Sequence, residues 1–315
     1  MTEPNPNPNP NPNPNPNPNP SPSPKPDSAQ SAQSATLQAP SILLAGGVGT
    51  GKTGSLATLL AAGLKVSIIT TEANAIDTLI DRCKALGIDY SQLQWKHIEP
   101  TPAGFSALTT MAKNISTMSY QALTELKGGF GKQLTTQFME VLKACEKFVS
   151  DRDGQDYGNI ETWGADTAFC IDSLSGINEM CRALAAGYKP ALHQGEWGVM
   201  MNLEEQFLLK MCALNCWFVI TAHIEREKDD ITGGTRIMVG ALGRRLAPKI
   251  PRTFSEVVLA ERSGDKFTWS TANPQADLKF RSLPNSGSMP PDFKPIIEAY
   301  HKRLEATGKS EEPSS

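Results

Sequence analysis

The 315-residue sequence lacks an excess of either charge: 30 Lys and Arg stand against 33 Asp and Glu, which gives a formal net charge of −3. Without a basic excess there is no overall positive field to drive non-specific binding to nucleic acids, so any contact with DNA must be local. The sequence also lacks a run of about 18 apolar residues and the ordered segments of a secretory signal. These absences predict a cytoplasmic protein with no membrane partner.

Cysteine is scarce, and its six copies form neither a CxxC pair nor a spacing with histidine that suits a metal. All six lie in apolar segments, where a free cysteine behaves as a small hydrophobic residue. We therefore expect reduced core thiols at Cys83, Cys145, Cys170, Cys181, Cys212 and Cys216.

The first forty residues contain almost no apolar side chains and hold 13 of the 24 prolines, most of them in Asn-Pro repeats. Such a segment cannot bury enough apolar surface to offset the entropy of ordering. We predict a disordered Asn-Pro-rich tail over residues 1–40, a folded domain over 41–304 and a disordered C-terminal end over 305–315.

Within the folded domain, short apolar runs alternate with segments of helical periodicity. The predicted strands are 41–45, 65–71, 93–98, 167–171 and 217–221. The predicted helices are 52–62, 73–86, 105–126, 134–149 and 197–214. This alternation predicts an α/β fold, with a mostly parallel central sheet and helices on both faces.

After residue 254 the pattern changes to short strands joined by turns, at 256–260, 266–270 and 278–281. Strands joined by short turns pair with each other in antiparallel order. We expect them to form an antiparallel extension at the C-terminal edge of the sheet.

Residues 46–53 read GGVGTGKT, which fits the phosphate-binding pattern GxxxxGK(S/T) between a predicted strand and a predicted helix. In this pattern backbone N–H groups surround phosphate oxygens, the lysine neutralises the β- and γ-phosphates, and the hydroxyl binds magnesium. The alternative is a glycine turn with a solvated lysine. The pattern predicts ATP and Mg²⁺ as ligands, bound by Gly46, Gly47, Val48, Gly49, Thr50, Gly51, Lys52, Thr53 and Gly54.

Two acids follow predicted buried strands. Asp172 ends the run TAFCI and is expected to join Thr53 in binding magnesium, although it could also cap the next helix. Glu72 follows the strand after the glycine-rich segment, at the sheet edge where sites of parallel sheets gather, and is expected to activate water. The alternative for Glu72 is an exposed loop acid.

The order of elements resembles that of RecA-type P-loop ATPases, in particular the RecA-like ATPases of bacteriophages that act in single-strand annealing and recombination. In this resemblance TTEANAID carries the catalytic Glu72, and WFVITAH ends in His223 as a sensor of the γ-phosphate. LKFRSLP carries Lys279 and Arg281, whose counterparts reach the ATP of a neighbouring subunit. From the residues alone, His223 could be structural, and the two basic residues could simply protect an edge strand.

The resemblance implies an ATPase stimulated by DNA, in the host cytoplasm if a phage encodes it. Its partners would be single-stranded DNA, further copies of the chain in a ring or short filament, and a single-strand-binding protein. The segment after His223 occupies the place of RecA's mobile DNA-binding loop.

One basic stretch, residues 236–252, overlaps the end of that segment and contains no acid. A basic, glycine-bearing loop suits contact with a phosphate backbone, although it could instead be a surface loop or a subunit contact. The expected DNA-binding residues are Arg236, Arg244, Arg245, Lys249 and Arg252.

Three functions fit these features. The first is a RecA-like ATPase that acts on single-stranded DNA in recombination or strand annealing. The second is a KaiC-like ATP-dependent switch or assembly protein that acts on a protein partner, and the third is a motor of the helicase or packaging type.

Overall fold

A mostly parallel sheet forms the centre of the computed structural model, which describes residues 37–126, 136–187, 189–228 and 233–308. The strands run in the order β3-β2-β4-β5-β1-β7-β8, and β6 pairs with β5. Among the strand pairs in the described residues, β7–β8 and β5–β6 are antiparallel and the others are parallel. The strands are β1 Ser41–Gly46, β2 Lys65–Thr70, β3 Leu93–His97, β4 Thr167–Asp172, β5 Trp217–Lys228, β6 Thr235–Val239, β7 Glu256–Ser263 and β8 Lys266–Ser270.

Helices cover both faces of this sheet, as the alternation predicts. They are α1 Lys52–Ser55, α2 Ala57–Ala61, α3 Ala75–Leu86, α4 Phe105–Thr117, α5 Tyr120–Thr124, α6 Gln137–Glu146, α7 Leu174–Ala186, α8 Gln194–Cys212, α9 Ile250–Thr253 and α10 Lys294–Gly308. None of the helices in the described part of the chain is long and apolar enough to cross a membrane.

The strands are apolar on both faces because each face has its own core. In β1, Ile42 and Leu44 join one cluster with α2, α3 and α10. Leu43 and Ala45 point the other way and join a second cluster with α6, α7 and α8. This is why the sequence shows short continuous apolar runs rather than alternating ones.

The six cysteines are free thiols, five of them buried and Cys212 half-buried. Burial raises the pKa of Cys145, Cys212 and Cys216 to about 12 each. The neutral thiol therefore persists at physiological pH, in agreement with the expected core role.

Several predicted helix limits differ from the structure. The single helix expected over 105–126 is two helices, because Ser119 starts a new one and its Oγ accepts from the N–H of Ala122 at 3.3 Å. Helix α6 spans Gln137–Glu146, shorter than the predicted 134–149, of which 134–135 lie outside the described residues. Helix α8 starts at Gln194, before the predicted residue 197, because His193 and Glu196 form a capping box there.

The expected antiparallel extension is only partly present. Strand β7 pairs in parallel with β1 and so belongs to the central sheet, and only β8 is antiparallel to it. The predicted strand 278–281 is a single bridge between Lys279 and Val257. The Glu256 carboxylate accepts from the N–H groups of Arg281 and Ser282 at 2.9 and 3.0 Å, so a side chain binds the backbone where a partner strand would.

The expected DNA-binding loop contains a hairpin. Strand β5 continues past the predicted end at residue 221 to Lys228, and it pairs there with β6. Ile237 and Val239 on β6 are buried, so the hairpin packs on the body of the fold. The predicted segment also includes residues 229–232, which lie outside the described residues.

Both predicted domain limits fall inside ordered structure. Ala39 and Pro40 are buried, and Tyr300 Oη donates to the carbonyl of Leu37 at 2.8 Å, so the fold includes residues 37–40. Helix α10 continues past residue 304. The rest of the two predicted disordered ends, 1–36 and 309–315, lies outside the described residues.

One acid is buried in the second core, between α7, α8 and the segment after β6. Glu204 is fully buried, and its Oε2 accepts from the N–H of Leu242 at 3.0 Å. Its other oxygen has no partner within the described residues. Burial raises the pKa of Glu204 to about 7, so this side chain takes up a proton on folding near neutral pH.

Because Glu204 is buried, the free energy of unfolding should depend on pH. The folded state keeps the Glu204 proton up to about pH 7, whereas the unfolded chain releases it near its ordinary pKa of 4.5, so stability falls as pH rises between these values. Glu204→Gln removes the ionisation and should raise the free energy of unfolding at about pH 8.5 by up to about 3 kcal/mol.

Urea unfolding of both proteins at about pH 5 and about pH 8.5 measures the effect. The matched control is Glu205→Gln, a partly exposed neighbour on the same helix that pairs with Lys249 at 3.3 Å, and it should not raise the free energy of unfolding at about pH 8.5. If Glu204→Gln changed the free energy of unfolding by the same amount at both pH values, Glu204 would not be the group responsible for the pH dependence.

Candidate functional site

The carboxyl ends of four parallel strands bring the predicted site residues to one edge of the sheet. Gly46 pairs with His223 between β1 and β5, and Thr70 pairs with Asp172 between β2 and β4. A cavity of about 340 Å³ opens there. Its lining includes Val48 to Gly54, Glu72, Thr78, Asp172, His223, Arg262 and Phe267.

The glycine-rich loop, residues 46–53, leaves β1 and turns sharply into α1. Gly51 has φ +81°, a conformation that favours glycine, and a Cβ at Gly46 would lie 2.5 Å from the carbonyl oxygen of Ala260. The loop therefore needs glycine at these two positions for different reasons. Gly51 is required by its backbone conformation, and Gly46 is required by its close contact with β7.

Lys52 is buried inside this loop. Its Nζ donates to the carbonyls of Gly46 and Gly47 at 2.9 and 2.7 Å. Burial lowers the pKa of Lys52, and the nearby carboxylates of Asp172 and Glu72 partly oppose that change. An anion in the loop would offer this ammonium a stronger partner than two neutral carbonyls.

Asp172 lies at the end of β4, almost fully buried, and two hydroxyls hold its carboxylate. Thr53 Oγ1 donates to its Oδ2 at 2.7 Å, and Thr221 Oγ1 donates to its Oδ1. Burial raises the pKa of Asp172, while these hydrogen bonds oppose the rise. Thr53 and Asp172 therefore present oxygen atoms side by side, a hard donor set that suits Mg²⁺.

Thr53 and Asp172 do not by themselves form a complete metal site. Among the described residues, no group of three or more His, Cys, Asp or Glu side chains is placed to hold a metal ion. Any cation bound by Thr53 and Asp172 would take its other ligands from water or from a bound ligand, as Mg²⁺ commonly does.

Glu72 is held at the mouth of the cavity, half exposed. Its Oε1 accepts from Ser173 Oγ at 2.6 Å and lies 3.4 Å from His223 Nε2. Ser173 is itself fixed by Thr71, whose Oγ1 accepts from the Ser173 N–H at 2.8 Å and donates to its carbonyl at 3.1 Å. The Glu72 carboxylate can therefore accept a proton at a position that two neighbours define.

His223 lies inside β5 rather than at a strand end, because β5 continues into the hairpin. Its Nδ1 is buried and has no hydrogen-bond partner within the described residues. The ring thus connects the cavity, through Glu72, to the strand that forms the hairpin.

Lys279 and Arg281 are not part of this cavity. Lys279 bridges to Val257, which pairs with Leu43 near the start of β1, whereas the glycine-rich loop follows the end of β1. Lys279 Nζ donates to the carbonyl of Phe254 at 2.6 Å. Both basic residues therefore lie towards the opposite edge of the sheet from the loop of their own chain.

The basic stretch carries less free positive charge in the structure than its sequence suggests, because acids from other segments form ion pairs with it. Arg236 pairs with Asp277 at 2.7 Å, Arg244 with Glu227 at 3.2 Å and Lys249 with Glu205 at 3.3 Å. Arg244 remains largely exposed, as do Arg245 and Arg252. The structure thus leaves a smaller positive surface than the five predicted residues suggest.

Sequence reasoning did not identify every residue of the site. The place of Thr221 in the site could have been inferred, since it lies two residues before His223 on a strand and its side chain points to the same face. Ser173 and Thr71 adjoin predicted acids, yet their mutual contact depends on strand register. Arg262 and Phe267 depend on the β7–β8 pairing, which residue spacing does not reveal.

Comparisons with the models of known protein families and with curated proteins find no match for this chain. The interpretation of the site therefore rests on its own residues and geometry.

The contact between α7 and the end of β2 generates a prediction. A Cβ at Gly176 would lie 2.2 Å from both Cβ and Oγ1 of Thr71, far inside contact distance. Gly176→Ala should therefore destabilise the protein by about 1–3 kcal/mol through overpacking, more than the gain of about 1 kcal/mol from helix propensity.

Urea unfolding measures this change. Gly164→Ala is the matched control, since its Cβ would approach nothing nearer than Asp166 Oδ1 at 3.7 Å. A Gly176→Ala protein as stable as the control would show that the two elements can separate without cost.

Proposed function

We propose that the protein is a RecA-like P-loop ATPase. It binds ATP with Mg²⁺ in the cavity at the glycine-rich loop and hydrolyses ATP to release the γ-phosphate. One observation carries the proposal. Strand register brings Lys52, Thr53, Asp172 and Glu72, from three separate segments, around the cavity that the GGVGTGKT loop lines. These are the residue types that phosphoryl transfer to water needs.

In this proposal Lys52 exchanges its two carbonyl partners for phosphate oxygens. Thr53 and Asp172 would give up their mutual hydrogen bond to hold a magnesium ion, which would supply positive charge beside the phosphates. The Glu72 carboxylate, fixed by Ser173, orients a water molecule and takes its proton as the water oxygen bonds to the γ-phosphorus and the bond from that phosphorus to ADP breaks.

We propose further that hydrolysis is coupled to single-stranded DNA in recombination or strand annealing. Support comes from strand β5, which carries His223 beside Glu72 and continues without interruption into the β5–β6 hairpin. The exposed Arg244 and Arg245 follow that hairpin. A change at the γ-phosphate could therefore alter the position of the DNA-binding surface.

Oligomerisation belongs to the same proposal. Lys279 and Arg281 lie away from the cavity of their own chain, so their proposed role at ATP requires a neighbouring copy in a ring or short filament. A single-strand-binding protein remains a proposed further partner, and the cytoplasm the proposed location.

Glu72→Gln tests the hydrolytic step. The amide keeps the shape of Glu72 but cannot accept a proton, so ATP binding should persist while turnover falls by roughly 10²–10⁴-fold. The measurements are binding of a fluorescent ATP analogue and release of phosphate.

Two variants complete this experiment. Lys52→Ala should lose both binding and turnover, whereas Glu99→Gln, an exposed glutamate after the next strand β3, should change neither. If binding and turnover fell together in Glu72→Gln, Glu72 would be a structural residue.

The DNA interaction is tested by its salt dependence. Each phosphate neutralised on a single strand contributes a slope of about −0.7 in log affinity against log salt, so alanine at both Arg244 and Arg245 should flatten the slope by about 1.4. Arg236→Ala is the control, because its guanidinium is bound to Asp277 at 2.7 Å and is only half exposed, whereas Arg244 is 88% exposed despite its longer contact with Glu227.

Fluorescence anisotropy of a labelled oligonucleotide at several salt concentrations gives the slope. An unchanged slope in the double variant would remove this surface from the DNA site. A wild-type protein that hydrolyses ATP but binds no DNA would favour the KaiC-like switch.

A further inference from the structure

The β7–β8 hairpin places two side chains against the glycine-rich loop of the same chain. The Phe267 ring lies so close to Gly51 that a Cβ there would be 2.9 Å from its Cδ1. Arg262 Nη1 lies 4.0 Å from the corresponding position at Gly49. Both side chains line the cavity and are partly exposed.

The Arg262 guanidinium is held in one orientation. Its carbon lies 5.2 Å from the centre of the Phe267 ring, and its Nε donates to the carbonyl of Gly264 at 2.7 Å. Asp265 lies 3.7 Å from the guanidinium and is fully exposed, which makes it too weak a partner to neutralise Arg262. The side chain thus offers a fixed, flat and positively charged surface at the cavity wall.

Sheet order places this surface on the opposite side of the loop from the hydrolytic groups. Glu72, Asp172 and His223 come from β2, β4 and β5, which lie on one side of β1. Strands β7 and β8 lie on the other side. A nucleotide with its terminal phosphate at Glu72 would therefore extend its other end towards Arg262 and Phe267.

We infer that Arg262, supported by Phe267, forms the subsite for the base of the bound nucleotide. The inference rests on the proposed function, since it assigns the second half of the same ligand. A guanidinium plane stacks on the face of an aromatic base, and the contact grows with ring area. The subsite therefore prefers purine over pyrimidine nucleotides.

A phosphate contact by Arg262 is the competing role. The base role is favoured because the Gly264 carbonyl and the Phe267 ring hold the guanidinium on the β7–β8 hairpin, on the opposite side of β1 from the strands that carry the hydrolytic groups. Inorganic tripolyphosphate separates the two roles, since it carries the phosphates of ATP without the base.

The experiment compares ATP with tripolyphosphate, both with magnesium, by calorimetric titration of the full chain. Arg262→Ala and Arg262→Lys should each weaken ATP binding roughly tenfold, the size expected for loss of one stacked base, and leave tripolyphosphate binding unchanged. Lys keeps the charge but not the flat surface. Phe267→Leu should weaken ATP binding in the same direction, because the support of the guanidinium is lost.

Lys266→Ala is the matched control, an exposed cation on the same hairpin outside the cavity lining, and it should change neither affinity. A parallel loss of ATP and tripolyphosphate affinity in Arg262→Ala would overturn the base role in favour of a phosphate contact. Unchanged affinities in both Arg262 variants would overturn the inference alone. A wild-type protein that binds neither ligand would instead overturn the proposed function, and the inference with it.

Discussion

The register of the parallel strands is the constraint on which the candidate site depends. Thr70 lies opposite Asp172, Ile171 opposite Ile220, and Gly46 opposite His223. A shift of one residue in any of these pairs would turn the side chains to the other face of the sheet. Close packing in the two hydrophobic cores opposes such a shift, because exchanging the side chains between the two faces would leave voids and clashes in both cores.

The site contains two opposite charges, Lys52 and Asp172, that do not bind each other directly. Lys52 is bound to carbonyls, and Asp172 is bound to the hydroxyls of Thr53 and Thr221. Burial acts against the charged form of both, lowering the pKa of Lys52 and raising that of Asp172. An anionic ligand with a cation would relieve both effects, and this is the physical basis of the proposed ATP and magnesium site.

The sequence predicts the part of this structure that depends on local pattern. Short apolar runs indicate the parallel strands. The glycine-rich loop, Glu72 after β2 and Asp172 at the end of β4 follow from their positions in the sequence. The pattern does not predict the β5–β6 hairpin, because IEREK is mostly polar and lacks the apolar run of a buried strand. The strand expected at 278–281 is wrong because Glu256, distant in sequence, binds that backbone. The ion pairs of Arg236, Arg244 and Lys249 likewise depend on acids that only folding brings near.

MgATP is proposed to replace the internal partners of Lys52 and Asp172. A crystal structure with a non-hydrolysable ATP analogue and magnesium would show whether it does. We expect Lys52 Nζ on phosphate oxygens instead of the carbonyls of Gly46 and Gly47, with the metal held by Thr53 and Asp172. A bound analogue that left the Lys52 and Thr53 contacts unchanged, or that lay outside this cavity, would rule out the proposed ATP and magnesium site.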